Sequence, residues 1–246
     1  MNKVLKEDEV LDDLEYKDLK IIQKKDGFKF GMDAILLTNF SKNIKKNARV
    51  LELGTGTGVI SILLSEKTDL AKVIGIEIQE QISEMARRSV KLNKLEDKVE
   101  IINENIKNIE NVLEKSTFDV VVTNPPYKKK NTGIVNYNDI KLISRHEITA
   151  NLEDFIRVGS SMLKSNGEFY MVHRPDRITD IVCLLRKYKL EPKVLQFVYP
   201  KLGEKANLIL IKAVKNGGEF LNVEKPLYIY NQDGTYTQEL LKIYGK

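Results

Sequence analysis

Four consecutive residues, Asn124-Pro125-Pro126-Tyr127, place a side-chain amide, two imino acids and a phenol directly behind the β-forming run Phe118 to Thr123. Proline carries no N–H and confines the residue before it to an extended backbone, so this corner offers carbonyl acceptors without donors. A neutral planar amine suits such a corner. It can give one hydrogen to the Asn124 side-chain oxygen and another to the Pro125 carbonyl, which aims its lone pair at an electrophile. Tyr127 adds a face on which a base can stack, a contact worth roughly 1–3 kcal/mol. Asn124, Pro125 and Tyr127 are therefore the expected catalytic residues. Pro126 and the run Lys128, Lys129, Lys130 are expected on the substrate side, with the lysines meeting phosphates. A solvated loop is the alternative reading of those three charges.

A second constellation lies upstream in "ELGTGTGVISILL". Gly54, Gly56 and Gly58 let the backbone turn tightly and approach a ligand, and the helix they open presents unpaired N–H groups. The spacing is G-x-G-x-G, not the G-x-G-x-x-G of pyrophosphate-binding dehydrogenases, and Glu52 precedes it. Glu77 closes the next apolar run, "VIGIE", where a carboxylate can accept both hydroxyls of a ribose. Asn105, in "NEN", follows the third run and could meet an adenine edge or serve as a plain turn residue. Three strand ends thus point at one nucleoside-shaped cleft.

The elements that must hold these residues alternate. "ARVLELG", "AKVIGIEI", "VEIINENI" and "FDVVVTN" read as strands; "VISILLSEK", "QEQISEMARRSVKLNKL" and "NIENVLEK" between them carry apolar residues at helical spacing. This predicts a parallel sheet with crossover helices on both faces. Beyond the prolines come a helix over "NLEDFIRVGSSMLKS", a strand "GEFYMVH", a helix "RITDIVCLLRKYK" and two closing strands, "KVLQFVYP" and "ANLILIKAVK". The turn between the last two is too short for a crossover, so they should be antiparallel. The expected fold class is α/β, a doubly wound, mostly parallel seven-stranded sheet with its last strand antiparallel. Residues 1–43 are expected as an N-terminal extension, 44–215 as the catalytic domain and 216–246 as a tail.

Composition sets outer limits. The 246 residues are 42% hydrophobic and 30% charged, enough for one sizeable core. No apolar run approaches the length of a membrane span and the N-terminus lacks a signal-peptide pattern, so a cytoplasmic protein is expected. One cysteine, Cys183, and two histidines, His146 and His173, exclude an internal disulfide and argue against a structural zinc site. Cys183 is expected in the core, and the histidines in structural or surface positions. A formal charge of +5 and a pI near 9.0 favour a polyanionic partner.

Taken together, Glu52 to Gly58 with Glu77 resembles the S-adenosylmethionine pocket of class I methyltransferases, and Asn124 to Tyr127 resembles the N/D-P-P-Y/F motif of amino-methyltransferases. The segments "IIQKKDGFKFGMDAILLTNF", "SRHE" and "PLYIYNQDGTYTQELLKIYGK" extend the resemblance to the bacterial family that N6-methylates adenosine beside the anticodon of valine tRNA. The resemblance implies S-adenosylmethionine as cofactor, RNA as partner and no metal. It also implies a cofactor shell of Phe30, Gly31, Asp33, Glu52, Gly54, Gly56, Gly58, Glu77, Asn105 and Asn124. Within that shell "FGMDA" closes over the methionine part, and Asp33 either accepts its ammonium group or caps the following helix. Other readings stay open: a glutamine-amide methyltransferase acting on a protein release factor, a guanine amino-methyltransferase of rRNA, or an inactive RNA-binding protein of the same fold.

Overall fold

The structure, a computed structural model, describes residues 5–26, 31–127 and 150–246. An N-terminal hairpin, β1 (Glu9–Asp13) and β2 (Lys20–Lys24), leads into helix α1 (Met32–Phe40). The alternating part follows: β3 (Arg49–Leu53), α2 (Val59–Lys67), β4 (Lys72–Glu77), α3 (Glu80–Leu92), β5 (Val99–Asn103) and β6 (Phe118–Thr123). Then come α4 (Leu152–Met162), β7 (Leu163–His173), α5 (Ile178–Lys187), β8 (Leu190–Tyr199) and β9 (Leu208–Lys215). Two short strands, β10 (Asn222–Val223) and β11 (Leu227–Tyr228), and helix α6 (Gln238–Tyr244) close the chain.

The main sheet runs β10-β8-β9-β7-β6-β3-β4-β5, with β11 also on β8. All pairings from β5 across to β7 are parallel. Strand β9 is antiparallel to both of its neighbours, β7 and β8, because a turn of eight residues cannot carry the chain over a sheet face. The seven expected strands are thus present with the last one reversed, and the tail adds two two-residue strands parallel to β8.

Alternation along each strand divides the core between the two faces. Val50, Val73, Val99 and Val120 point to one side with Ile35, Leu36, Ile62 and Leu63 of α1 and α2, and Leu240 and Ile243 of α6 share that cluster. Leu51, Ile74, Val121 and Phe169 point to the other, against Phe155 and Ile156 of α4 and Ile181 and Leu185 of α5. Residues of both terminal segments therefore enter the same apolar cluster as the central strands. The hairpin is tied to α3 by polar contacts. Ser89 Oγ accepts the Ile22 N–H at 3.0 Å, and Asn93 accepts from the Lys20 N–H and donates to its carbonyl. Glu9, 4% exposed, takes a bidentate pair from Arg88 at 2.6 and 2.7 Å, which holds its carboxyl below the usual range.

Three expectations on these elements need correction. Cys183 is exposed, not core: Ile181 and Leu185, one helical turn apart, face the sheet, and a residue two positions from each points away. "NIENVLEK" does not form an α-helix; only a 3₁₀ turn spans Ile106–Asn111. The strand read through Ile106 ends at Asn103, because the Asn105 side chain accepts the Lys107 N–H and starts that turn. His173, expected in a structural or surface position, is structural: it is buried, at 1% exposure.

Candidate active site

The glycine loop leaves β3 at its carboxyl end, on the edge of a parallel sheet where ligands lie. Gly54, Gly56 and Gly58 all have positive φ, at 75°, 56° and 92°. At Gly56 the conformation and the space both matter. A side chain would be strained there, and a Cβ built on it meets nothing within 4 Å, so the bare backbone faces open space. The loop is braced from two sides. Its Gly54 and Thr55 N–H groups donate to the Ile76 carbonyl at 2.9 and 2.8 Å. Glu77, at the end of β4, accepts the Gly56 N–H on one oxygen at 3.0 Å and the Gln79 N–H on the other at 2.9 Å.

Glu52, expected among the cofactor contacts, lies beneath the loop instead. It is 1% exposed, and one of its oxygens accepts the hydroxyls of Thr55 and Ser61. Burial pushes its carboxyl up to about 7, against the opposing pull of those two hydroxyls and with a further push from Glu77. An acid held higher in the folded chain than in the unfolded one contributes stability that is complete below about pH 4.5 and is lost as pH rises through about 7. Glu52→Gln removes that titration. Relative to the parent, the variant should gain about 2 kcal/mol of unfolding free energy between pH 5 and pH 8, read from denaturant melts at the two values. An identical difference at both would mean that Glu52 does not titrate differently on folding.

Asn124 follows β6, the strand paired with β3, so the amide corner and the glycine loop occupy neighbouring strand ends. Pro125 is buried, Pro126 exposed, and Asn124 and Tyr127 half-buried. The Tyr127 hydroxyl sits 2.8 Å from the Asn124 side-chain oxygen and 2.8 Å from Asp33 Oδ2. Burial and the nearby Asp33 charge push the phenol's pKa far up, so it is neutral. Its ring rests at 5.1 Å, tilted by 58°, on His173 at the end of β7. His173 Nδ1 accepts the Arg174 N–H at 2.8 Å, which puts the imidazole proton on Nε2. Burial lowers the His173 pKa and keeps the ring neutral.

Asp33 lies in the first turn of α1 without capping it; Gly31 is the cap residue. Its Oδ1 accepts the adjacent Ala34 N–H at 3.0 Å and its Oδ2 accepts from Tyr127. The structure therefore brings Gly31, Asp33, Asn124 and Tyr127 to one corner and Gly54, Gly56, Gly58 and Glu77 to the next. Asn105 stands one strand further on, with its oxygen engaged by the Lys107 N–H. Phe30, Lys128, Lys129, Lys130 and His146 lie outside the described residues. The Asp33–Tyr127 contact spans 94 positions and has no signature in local spacing. His173 was legible only as an isolated histidine at the end of a strand.

Residues 25–185 match the model of the methyltransferase small domain family. The chain belongs to that family. A tRNA1(Val) (adenine(37)-N6)-methyltransferase of Aeromonas hydrophila is 23% identical over 231 residues, covering 93% of each chain. One of the same name from Porphyromonas gingivalis is 28% identical over 180 residues, 71% of this chain and 70% of that one. Among solved structures, a predicted O-methyltransferase of Agrobacterium tumefaciens superposes with a TM-score of 0.71 at 22% identity, over 87% of this chain and 96% of the other. A geranyl diphosphate C-methyltransferase of Streptomyces coelicolor, solved with S-adenosyl-L-homocysteine, gives 0.56 at 11% identity over 74% and 76%. The mostly parallel sheet with its reversed strand is the class I methyltransferase fold.

The chain is accordingly a methyltransferase that uses S-adenosylmethionine, and the donor set fits that group. A bare glycine turn offers backbone to a nucleoside, and an acidic side chain at the end of the next strand offers acceptors to a diol. The cofactor supplies an electrophilic methyl on a sulfonium. The chain's own contribution is to orient and enclose, since a neutral amine needs no base before it attacks. No helix among the described residues is long and apolar enough to cross a membrane. Among the same residues no cluster of histidine, cysteine and carboxylate side chains is placed to hold a metal ion.

Proposed function

We propose that this methyltransferase transfers a methyl group to the N6 amine of an adenosine in RNA, the one beside the anticodon of valine tRNA. The observation that carries the reading is the Asn124-Pro125 corner, held at a strand end beside the glycine loop by the Tyr127 hydroxyl. In this reading Asn124 and the Pro125 carbonyl accept the two amine hydrogens, and Tyr127 and Pro126 border the base. Gly31, Gly54, Gly56, Gly58 and Glu77 hold the cofactor. An adenosine in a loop is unpaired, so turning it out to reach the corner costs little. Similarity to the Aeromonas protein along 93% of both chains supports the choice of valine tRNA, a substrate that belongs to the cytoplasm. We further read residues 1–43 as an extension beside the cofactor site, 44–215 as the methyltransferase domain and 216–246 as a tail.

The test is mass spectrometry of nucleosides from valine tRNA treated with the enzyme and a deuterated-methyl cofactor. Labelled N6-methyladenosine in the anticodon-loop fragment is expected. Label in N2-methylguanosine, or in a release-factor glutamine when that protein is supplied instead, would overturn the reading.

Lys128, Lys129 and Lys130 belong to the same proposal as phosphate contacts. Replacing all three with alanine should weaken RNA binding and flatten the dependence of log affinity on log salt by about 2–3 units of slope. Transfer at saturating RNA should persist, because phosphate contacts position a substrate without taking part in the chemistry. Titrations at several salt concentrations check it; an unchanged slope would leave the lysines as solvated loop residues.

A further inference from the structure

Tyr127 stands between two oxygens and has one proton. Its hydroxyl lies 2.8 Å from Asp33 Oδ2 and 2.8 Å from Asn124 Oδ1. A carboxylate oxygen and an amide oxygen are both acceptors, and a phenol can donate to only one of them. Three arrangements would resolve the conflict. An ionised Tyr127 is excluded by burial and by the Asp33 charge, both of which favour the neutral phenol. A protonated Asp33 would face the Ala34 N–H, 3.0 Å from its other oxygen, and the positive end of helix α1, both of which suit a carboxylate. The third arrangement turns the Asn124 amide over, exchanging two terminal groups of nearly equal size, so that its NH₂ meets the phenol oxygen.

We infer that Asp33 is a positioning residue that fixes the orientation of the Asn124 amide through Tyr127. The Asp33 carboxylate accepts the one hydrogen bond that the phenol can donate. The Tyr127 oxygen, its proton committed, accepts a hydrogen from Asn124 Nδ2. The Asn124 oxygen then lies on the side of the amide away from Tyr127, where the acceptor amine docks; this last step rests on the amine-methylation reading above. The chain of bonds is directional. A donor at the Tyr127 side would reverse the amide and present Nδ2, itself a donor, to an amine that needs an acceptor. Tyr127 is held for this task by its ring contact with His173 at 5.1 Å, and His173 in turn by the Arg174 N–H at 2.8 Å. The hydrophobic anchoring of α1, through Ile35, Leu36 and Leu37, each at most 2% exposed, sets the far end of the chain of bonds. An N-terminal helix thereby controls a side chain 91 positions away in the sequence.

The inference separates from its obvious rival, in which Asp33 binds the ammonium group of the cofactor. Asp33→Ala frees the phenolic proton for the Asn124 oxygen. It should lower kcat by about 10–100-fold, in the range of losses caused by small misplacement of a reacting group. The dissociation constant for S-adenosylhomocysteine should change by less than about threefold. Tyr127→Phe should cause a similar loss, and Asp33→Ala should add nothing to it, since both act along one line of bonds. Asp33→Asn keeps an acceptor for Tyr127 and should retain more of kcat than the alanine variant. A second readout needs no transfer reaction. In isotopically labelled protein saturated with S-adenosylhomocysteine, the Asn124 amide protons should show a nuclear Overhauser effect to the Tyr127 ring, lost in Asp33→Ala.

A wild-type protein without that contact overturns the inference even if transfer to tRNA is found. Its presence sustains the inference even if the substrate proves to be something other than tRNA. A tenfold or greater loss of S-adenosylhomocysteine affinity in Asp33→Ala that persists in the Tyr127→Phe background would assign Asp33 to the cofactor instead.

Discussion

Replacing Asn124 with alanine should lower methyl transfer by about 100-fold or more at saturating substrate and leave the affinity for S-adenosylhomocysteine within about threefold of the parent. The asymmetry follows from what the side chain does. In the proposed reading its oxygen acts on the incoming amine, so its loss removes an acceptor that orients the lone pair, and preorganised polar groups of this kind carry losses of about 10²–10³ in rate when deleted. In the same reading the cofactor is held elsewhere, by the glycine loop, whose Gly56 faces open space, and by Glu77, which braces it. Truncation also releases the Tyr127 hydroxyl from one of its two partners while Asp33 keeps the other, so the corner itself should persist. Calorimetry with S-adenosylhomocysteine and single-turnover transfer on the same preparations check the pair of outcomes. Equal losses in both would place Asn124 against the cofactor and not against the amine.

The parts of this site that were legible from sequence are those in which one short segment carries its own geometry. Gly54, Gly56 and Gly58 need positive φ, and the residue type announces it. Asn124 before Pro125 is extended because proline allows little else. The sheet was readable because β3, β4 and β6 are apolar on both faces, and the reversal of β9 followed from a turn too short for a crossover. What escaped depends on contacts distant in sequence. Glu52 sits next to the glycine turn, and sequence adjacency suggested a cofactor contact; only the fold shows that alternation directs it under the loop toward Ser61. Cys183 lies in the apolar run "IVCLLRKY", but the helix phase set by Ile181 and Leu185 turns it outward. The contact of Asp33 with Tyr127 left no trace in local spacing, because the two residues are 94 positions apart. His173 carried no local pattern at all, yet its burial against Tyr127 makes it part of the wall behind the amide corner.

Glu77 is the residue whose loss should weaken cofactor binding most. It joins two structural tasks to the proposed recognition of a ribose: one oxygen accepts the Gly56 N–H at 3.0 Å and the other accepts the Gln79 N–H at 2.9 Å. Each carboxylate oxygen can accept more than one hydrogen bond, so the same two atoms can fix the loop and meet the diol. Glu77→Ala removes both functions. Two charge-assisted hydrogen bonds to the ribose correspond to about 1–3 kcal/mol, or about 5- to 150-fold in the dissociation constant. Release of Gly56 adds to that by loosening the loop proposed to carry the cofactor. Glu77→Gln should be nearly as damaging, although it is the same size. An amide has one acceptor atom and one donor atom, so its NH₂ would face either the Gly56 or the Gln79 N–H, donor against donor. Turnover at saturating cofactor should change less than affinity, because the amide corner on β6 does not depend on the Glu77 side chain for any hydrogen bond described above. Titration calorimetry with S-adenosylhomocysteine, alongside turnover at a cofactor concentration well above each variant's dissociation constant, separates the two quantities. Unchanged affinity in the alanine variant would remove Glu77 from the pocket, and a tight-binding glutamine variant would mean that only one of its oxygens matters.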